Sequence, residues 1–414
     1  MRKLILLTSF FICQFAYAQY NNDFLTNLNL PKSSVSVQGE YEINSNCITN
    51  DLIHKLYIGG YIDTTTKEAN LKRLSGYNRI GGNGQVNLTG IVNNDSSGFS
   101  FLFGIKQQYQ FNSTFSNDFF KLGINGNKQF AGETANLSKS EINYYAFQEF
   151  KTGIIWKRVD TTKAIFGVSL SLLQGQNFIQ IKTNQTSLFT AQDASELSLN
   201  TTASLSLADT GKPNFFSYKG DGLSTEFFTY TPYKSTIGPS YFFLSVSNLG
   251  FIRWNGSSMN YYADSVFSFK GLQIDNVFEL KDSLVQGISF DSIIDNATEL
   301  KRERKSTNLP TTFLLLHNVS ITKKLGITTG LRHIFNANYK PYLFVEFNVR
   351  FNKSITANAH ISHGGYGGLS GGLSFLVDIK ERVRVRLGSN GIQGFILPKN
   401  SLGQGAFMGV TWMF

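Results

Sequence analysis

The sequence predicts an all-β fold, a single antiparallel transmembrane β-barrel of about 14–16 strands with short turns at one end and long loops at the other. Three observations predict it. The chain ends on a strand in which Ala406, Met408, Val410, Trp412 and Phe414 share one face and Phe407, Gly409, Thr411 and Met413 the other, so one face is wholly apolar. Aromatic residues make up 14% of the chain, with 37 Phe and 18 Tyr, while charged residues are only 16%. No apolar run reaches the roughly 20 residues of a membrane helix, so the hydrophobicity is spread over alternate positions. Finally, Phe99, Phe101, Phe103, Ile105, Tyr109 and Phe111 alternate with Ser100, Lys106, Gln108 and Gln110. That run is much longer than the roughly 5–6 residues of a typical soluble strand.

The N-terminus reads as a secretory signal peptide, residues 1–18: Met1-Arg2-Lys3, an apolar run from Leu4 to Ile12, then Ala16-Tyr17-Ala18 as the cleavage site. The barrel then occupies 19–414. Cys47 is the only cysteine after processing, which excludes an internal disulfide and a cysteine metal site. The chain carries net charge +10, but scattered rather than gathered into a patch, so no nucleic-acid partner is expected. The run Lys301-Arg302-Glu303-Arg304-Lys305 reads as a solvated loop between strands.

In chain order the expected strands are Ser34–Ile43, Arg79–Val92, Gly98–Asn112, Glu141–Lys157, Lys163–Gln174, Asn177–Leu188, Glu196–Leu207 and Ser240–Ile252. They continue with Asn260–Lys270, Thr311–Ile321, Leu325–Ile334, Tyr342–Phe351, Ser354–His363, Gly368–Val377, Glu381–Ser389 and Gly405–Phe414. The segment 208–239 reads as loose. Ser116-Asn117-Asp118 ahead of Phe119, Phe120 and Leu122 suggests a capped helical turn or two, and Phe278 to Ile288 hints at a helical face. These strands number sixteen. The alternative is fourteen, with a weak pair around Asn177–Leu207 folded elsewhere.

Loop lengths test the count. If odd strands run outward, Asn93–Ser97, Arg158–Thr162, Phe189–Ser195, Arg253–Ser258, Thr322–Lys324, Asn352–Lys353 and Asp378–Lys380 are the periplasmic turns, and all are short. The long connections 45–78, 113–140, 208–239, 271–310 and 390–404 fall on the opposite parity. Both termini then lie on the periplasmic side, with Trp412 and Phe414 in an interfacial aromatic girdle. The terminal strand resembles the closing strand of Gram-negative outer-membrane barrels. To leave no open edge in lipid it must pair with Ser34–Ile43.

Several blocks resemble an uncharacterised, domain-of-unknown-function family of Bacteroidota-type outer-membrane barrels: Leu122 to Asn127 running into Phe130 to Thr134, Tyr144 to Glu149, Gly167 to Gly175, Ser245 to Trp254, and Leu309-Pro310. The resemblance implies a cell outer-membrane location and relatives among FadL-like transporters and PorV-like accessory barrels of type IX secretion. It supplies no reaction and no catalytic residue. The implied partners are outer-membrane lipid, the barrel assembly machinery, and surface or secretion proteins.

The alternation turns Glu40, Glu42, Lys106, Glu149, Lys151, Arg332, Glu346, Arg350, Arg384 and Arg386 toward the lumen. Such charges either line an anion-favouring channel or pair and fill a closed barrel, and the second is preferred because buried charges must be paired or hydrated. His360 and Ser362 share a face without a nearby carboxylate, and His360 and His363 point to opposite faces, so neither an enzyme nor a metal or cofactor site is expected. Two functions follow: passive transport of small or hydrophobic solutes, or a non-catalytic binding or scaffold barrel of a secretion or surface complex.

Overall fold

Alternation decides which side of each strand meets lipid. A computed structural model describes residues 33–94, 98–156, 164–193, 195–209, 215–270 and 299–414. The signal peptide, the helical face at 278–288 and the expected turn Arg158–Thr162 lie outside the described residues.

The wall begins with β1 (Ser34–Ser45), which pairs with β2 (Asn78–Asn94), and β2 with β3 (Phe99–Phe115). A short β4 (Thr134–Asn136) lies in the loop before β5 (Ser140–Trp156), which pairs with β3 and with the long β6 (Ile165–Thr190). Only Ile165–Gly175 of β6 belongs to the wall, where it pairs with β8 (Gly220–Lys234). Next come β9 (Pro239–Trp254), β13 (Thr312–Ser320), β14 (Leu325–Ile334) and β15 (Lys340–Arg350). Then follow β16 (Ile355–Gly365), β17 (Leu369–Ile379), β18 (Val383–Ser389) and β19 (Gly403–Met413). β19 pairs back onto β1 from Ser34↔Met413 to Asn44↔Gly403. The result is a closed antiparallel barrel of 14 strands. Closure satisfies every edge, which is the condition for crossing hydrocarbon with strands.

The remaining strands stand beyond the wall at the loop end. Past a bulge opposite Ala146 and Phe147, β6 continues and pairs from Ile179 to Thr190 with β7 (Leu197–Leu207). β7 pairs with β10 (Met259–Phe269), and β10 with β11 (Glu299–Arg302). β12 (Lys305–Asn308) pairs with the end of β9.

These pairings bear out the fourteen-strand alternative, with the pair around Asn177–Leu207 folded outside the wall, over the count of sixteen. Asn177–Leu188, Glu196–Leu207 and Asn260–Lys270 are strands, but they build the loop-side sheet. The segment 220–234, expected to be loose, is a wall strand. Its outward row mixes Leu223 and Phe227 with Thr225 and Thr229, and its inward row hides Phe228, so the contrast between faces that marks the other strands is lost. The short connections Phe189–Ser195 and Arg253–Ser258 therefore lie at the loop end, and Ser235–Gly238 is the turn that replaces them. The basic run 301–305 spans β11 and β12 rather than a plain loop, with Lys305 Nζ donating to Ser206 Oγ at 2.7 Å.

Outward side chains form the apolar belt predicted by alternation, with Phe103 53% and Leu170 56% exposed. On β19 the outward residues Met408, Val410, Trp412 and the final Phe414 are exposed, Ala406 is half-buried, and Phe407, Thr411 and Met413 are buried inside. In lipid such a belt is the solvated surface.

The described residues of the loop end include helices. Helices α1 (Asn50–Ile58) and α2 (Thr64–Leu71) follow β1, capped by Thr49 and Asp63, whose side chains accept from Leu52 N and Thr66 N. α1 is tied to the β18–β19 loop through Asn50 N to Ser401 O (2.9 Å) and Asn50 Nδ2 to Gly403 O (3.0 Å). The helix expected near Ser116 is α3 (Asn117–Asn125), with Phe119 N donating to Ser116 Oγ at 3.0 Å. Phe115 and Phe120 stack and join Cys47 and Leu52 in a small core beneath these helices.

Candidate functional site

A charge turned into a barrel needs water or a partner, and the wall strands bring partners together. β3, β5 and β8 place Lys106, Glu149, Lys151 and Glu226 in one chain: Lys106 Nζ lies 2.6 Å from Glu149, Lys151 Nζ 3.5 Å from Glu149, and Lys151 Nζ 2.6 Å from Glu226. Ser171 Oγ donates to Glu149 Oε1 at 2.6 Å. All four charged side chains are buried or nearly so, and the chain is electrically balanced.

A second tie crosses the lumen. Arg332 on β14 donates to Glu42 on β1 at 2.8 Å, both side chains about nine-tenths buried. β1 and β14 are far apart around the wall, so this contact is made through the interior rather than along a strand pair. Lys106 reaches Asn248 Oδ1 on β9 at 3.5 Å in the same way. Toward the turn end, Phe228 stacks on Phe243 with centroids 5.8 Å apart, and both pack with Leu314, Leu316 and Phe344 in an apolar interior cluster. Amide side chains bridge neighbouring strands below it: Asn318, Thr328, Asn348, Asn358 and Ser374 are hydrogen-bonded in series.

The other predicted lumen charges are placed more locally. Glu346 is buried and accepts from Asn348 Nδ2 at 2.7 Å. Arg384 grips Asp378, directly opposite on β17, through Nε (2.7 Å) and an Nη (3.0 Å). The Arg386 guanidinium lies 5.4 Å from the Phe407 ring centroid. Arg350 is exposed at the turn end.

Among the described residues, two cavities bear on the candidate site. The inner cavity, ≈ 80 Å³, is lined by Glu40, Lys106, Lys151, Glu226 and Arg332. The other, ≈ 680 Å³, opens at the loop end between β2, β5, β6, β12 and the β14–β15 loop. Ile334 lines both. Tyr366, from the β16–β17 loop, packs over Gly81 where a Cβ would collide with its ring, and meets Tyr339 edge-on at 4.9 Å between centroids.

Four positions of the candidate site escaped the sequence reading. Glu226 lies on the unrecognised β8. Tyr339 and Tyr366 come from connections too short to show a pattern. Arg79 was seen as the start of a strand but not as an inward charge. Its parity with Asn83 and Gln85, which face the inner cavity, was the available signal.

The sequence profile of one known family matches residues 18–385. This chain belongs to the family of unknown function DUF5723. No curated protein matches it. Among solved structures, this DUF5723 chain is similar to the Pseudomonas putida toluene transporter TodX at 8% identity, covering 95% of this chain and 93% of that one with a TM-score of 0.44. A TodX deltaS2S3 mutant monoaromatic hydrocarbon channel gives 8% identity, 97% and 96% coverage and 0.49. A Pseudomonas aeruginosa FadL homologue gives 10%, 93% and 91%, and 0.41. Such identities and scores say nothing of what this DUF5723 chain carries.

Proposed function

We propose that the chain is an outer-membrane barrel whose lumen is closed by its own side chains and whose working surface is the loop-side mouth, which makes it a binding barrel. The apolar belt and the closed wall support the membrane location. The Arg332–Glu42 contact across the interior carries the closed-lumen reading. A buried pair of this kind persists because parting it strands two charges in a confined space. The loop end, with its capped helices and the β6–β7–β10–β11 sheet, is the surface that a secretion or cell-surface protein would meet.

Transport of small or hydrophobic solutes is the second reading. One observation favours it: the mouth and the inner cavity share Ile334 as a lining residue, so a thin layer separates them.

Single-channel recording of the purified barrel in a planar bilayer tests the choice. The closed-lumen reading expects silence from the native protein. Steady ohmic conductance without added ligand overturns it in favour of the pore.

A further inference from the structure

The mouth cavity holds a cation that the fold leaves unmatched. Arg79 is 4% exposed and lines this space from the loop end of β2. Its Nε donates to the Tyr366 carbonyl at 3.1 Å, and its guanidinium lies 5.9 Å from the centroid of the Tyr77 ring. Among the described residues no carboxylate pairs with it, and its terminal nitrogens have no protein acceptor. Among the described residues the other strongly buried cations are paired: Arg332 with Glu42, Lys106 with Glu149, Lys151 with Glu226 and Lys219 with Asp209. A buried guanidinium offers five donors in a planar fork that matches a carboxylate or phosphate, and burying it without a counter-charge is costly.

The rest of the lining adds to this. Lys340 contributes a second positive charge at the rim, while the one acidic group among its described lining residues, Glu141, is neutralised by Lys182 at 3.1 Å. Carboxamides and phenols dominate the remainder and are already oriented by one another. Gln180 Nε2 donates to Tyr145 Oη (2.8 Å) and Asn143 Oδ1 (3.2 Å), and Tyr77 Oη donates to Asn338 Oδ1 (3.2 Å). His333 lines the same space, and its Nδ1 has no hydrogen-bond partner among the described residues. The Tyr77 ring is half exposed. Fixed amides and phenols suit hydroxyl groups, and an exposed phenol ring suits the apolar face of a sugar. The ≈ 680 Å³ volume is ample for a small ligand.

Resting on the mouth-side binding reading, we infer that the mouth binds an acidic saccharide from the medium, with its carboxylate on Arg79 and its hydroxyls on the amide-lined wall.

Isothermal titration of the full-length barrel in detergent tests this with a uronic-acid trisaccharide, the neutral trisaccharide of the same linkage, and inorganic phosphate. The native protein is expected to bind the uronate at least about tenfold more tightly than the neutral sugar, the effect of a charge-assisted hydrogen-bonded pair. Phosphate alone is expected to compete weakly. Arg79→Gln is expected to remove the preference for the acid, and Arg79→Lys to retain part of it. Heat-modifiability on gels checks that each variant is folded, and the acid-to-neutral comparison needs no variant at all. Equal binding of acid and neutral sugar, a preference that survives Arg79→Gln, phosphate binding more tightly than the uronate, or no binding by the uronate would each overturn the assignment. Because binding is read without flux, its failure leaves the closed-lumen reading standing, and a conducting barrel with an acid preference would leave this one standing.

Discussion

Replacing Glu149 by Gln keeps the shape of the side chain and removes one of two negative charges from the buried chain Lys106–Glu149–Lys151–Glu226. Glu149 is 2% exposed, lies 2.6 Å from Lys106 and 3.5 Å from Lys151, and accepts from Ser171 at 2.6 Å. After the change Glu226 still pairs with Lys151, while Lys106 loses its carboxylate. Breaking one member out of a buried ion pair costs roughly 3–5 kcal/mol, mostly the penalty of the charge left behind. Lys106 bears that penalty, since its remaining contact is Asn248 at 3.5 Å. Adding Lys106→Met restores the balance, so the double variant should recover most of the loss and give a large coupling between neighbouring sites. Guanidinium unfolding of the barrel in lipid vesicles, followed by tryptophan fluorescence and by gel mobility, measures both. A loss below about 1 kcal/mol for Glu149→Gln, the range of an exposed pair, would refute the reasoning. So would a double variant no more stable than the single.

Three further outcomes are expected. Ser36 and Thr411 face each other across the β1–β19 seam, so Ser36→Cys with Thr411→Cys should form a disulfide on oxidation and hold the barrel closed on heating, and absence of the cross-link would contradict the closure register. Burial pushes the Cys47 thiol up to about 11, so the folded protein should resist maleimide at neutral pH and react only when unfolded, as read by mass spectrometry, whereas rapid labelling of the native barrel would contradict its place under the loop-side helices. The Thr66 backbone N–H and then the Lys55 ammonium hold the Asp63 carboxyl at about 2, below its ordinary 3.8. A carboxyl depressed by folding stabilises the hairpin of α1 and α2 above its unfolded value, and that support is lost as pH falls through the folded one. Amide exchange over residues 50–71 should therefore accelerate between about pH 4 and pH 2, and unchanged protection across that window would discount the cap.

How much of this was legible beforehand follows from where the information sits. The outward rows of β3, β5 and β19 could be read from Phe99 to Phe414 because lipid imposes one rule on every second residue, and a local period suffices to show it. The capped turn at Ser116 was legible for the same reason, since its signal lies within one turn of chain. The count was not. Asn177–Leu207 reads as a weak pair of strands, and 220–234 shows too little contrast between its faces to read as a strand at all. Which of them closes the barrel depends on pairing partners distant in sequence, with β6 leaving β8 for β7 past its bulge.

The lumen divides in the same way. Parity alone turned Lys106, Glu149, Lys151 and Arg332 inward. It could not tell that Glu149 serves two lysines, that Arg332 meets Glu42 from the far wall, or that Arg79 meets no carboxylate among the described residues. The sequence by itself determined an aromatic-belted barrel and the faces of its strands, because those follow from a period-2 contrast between lipid and interior. Only the tertiary structure decided that there are 14 wall strands and which charges are matched, because Coulomb partners across a lumen are set by closure and distance rather than by spacing along the chain.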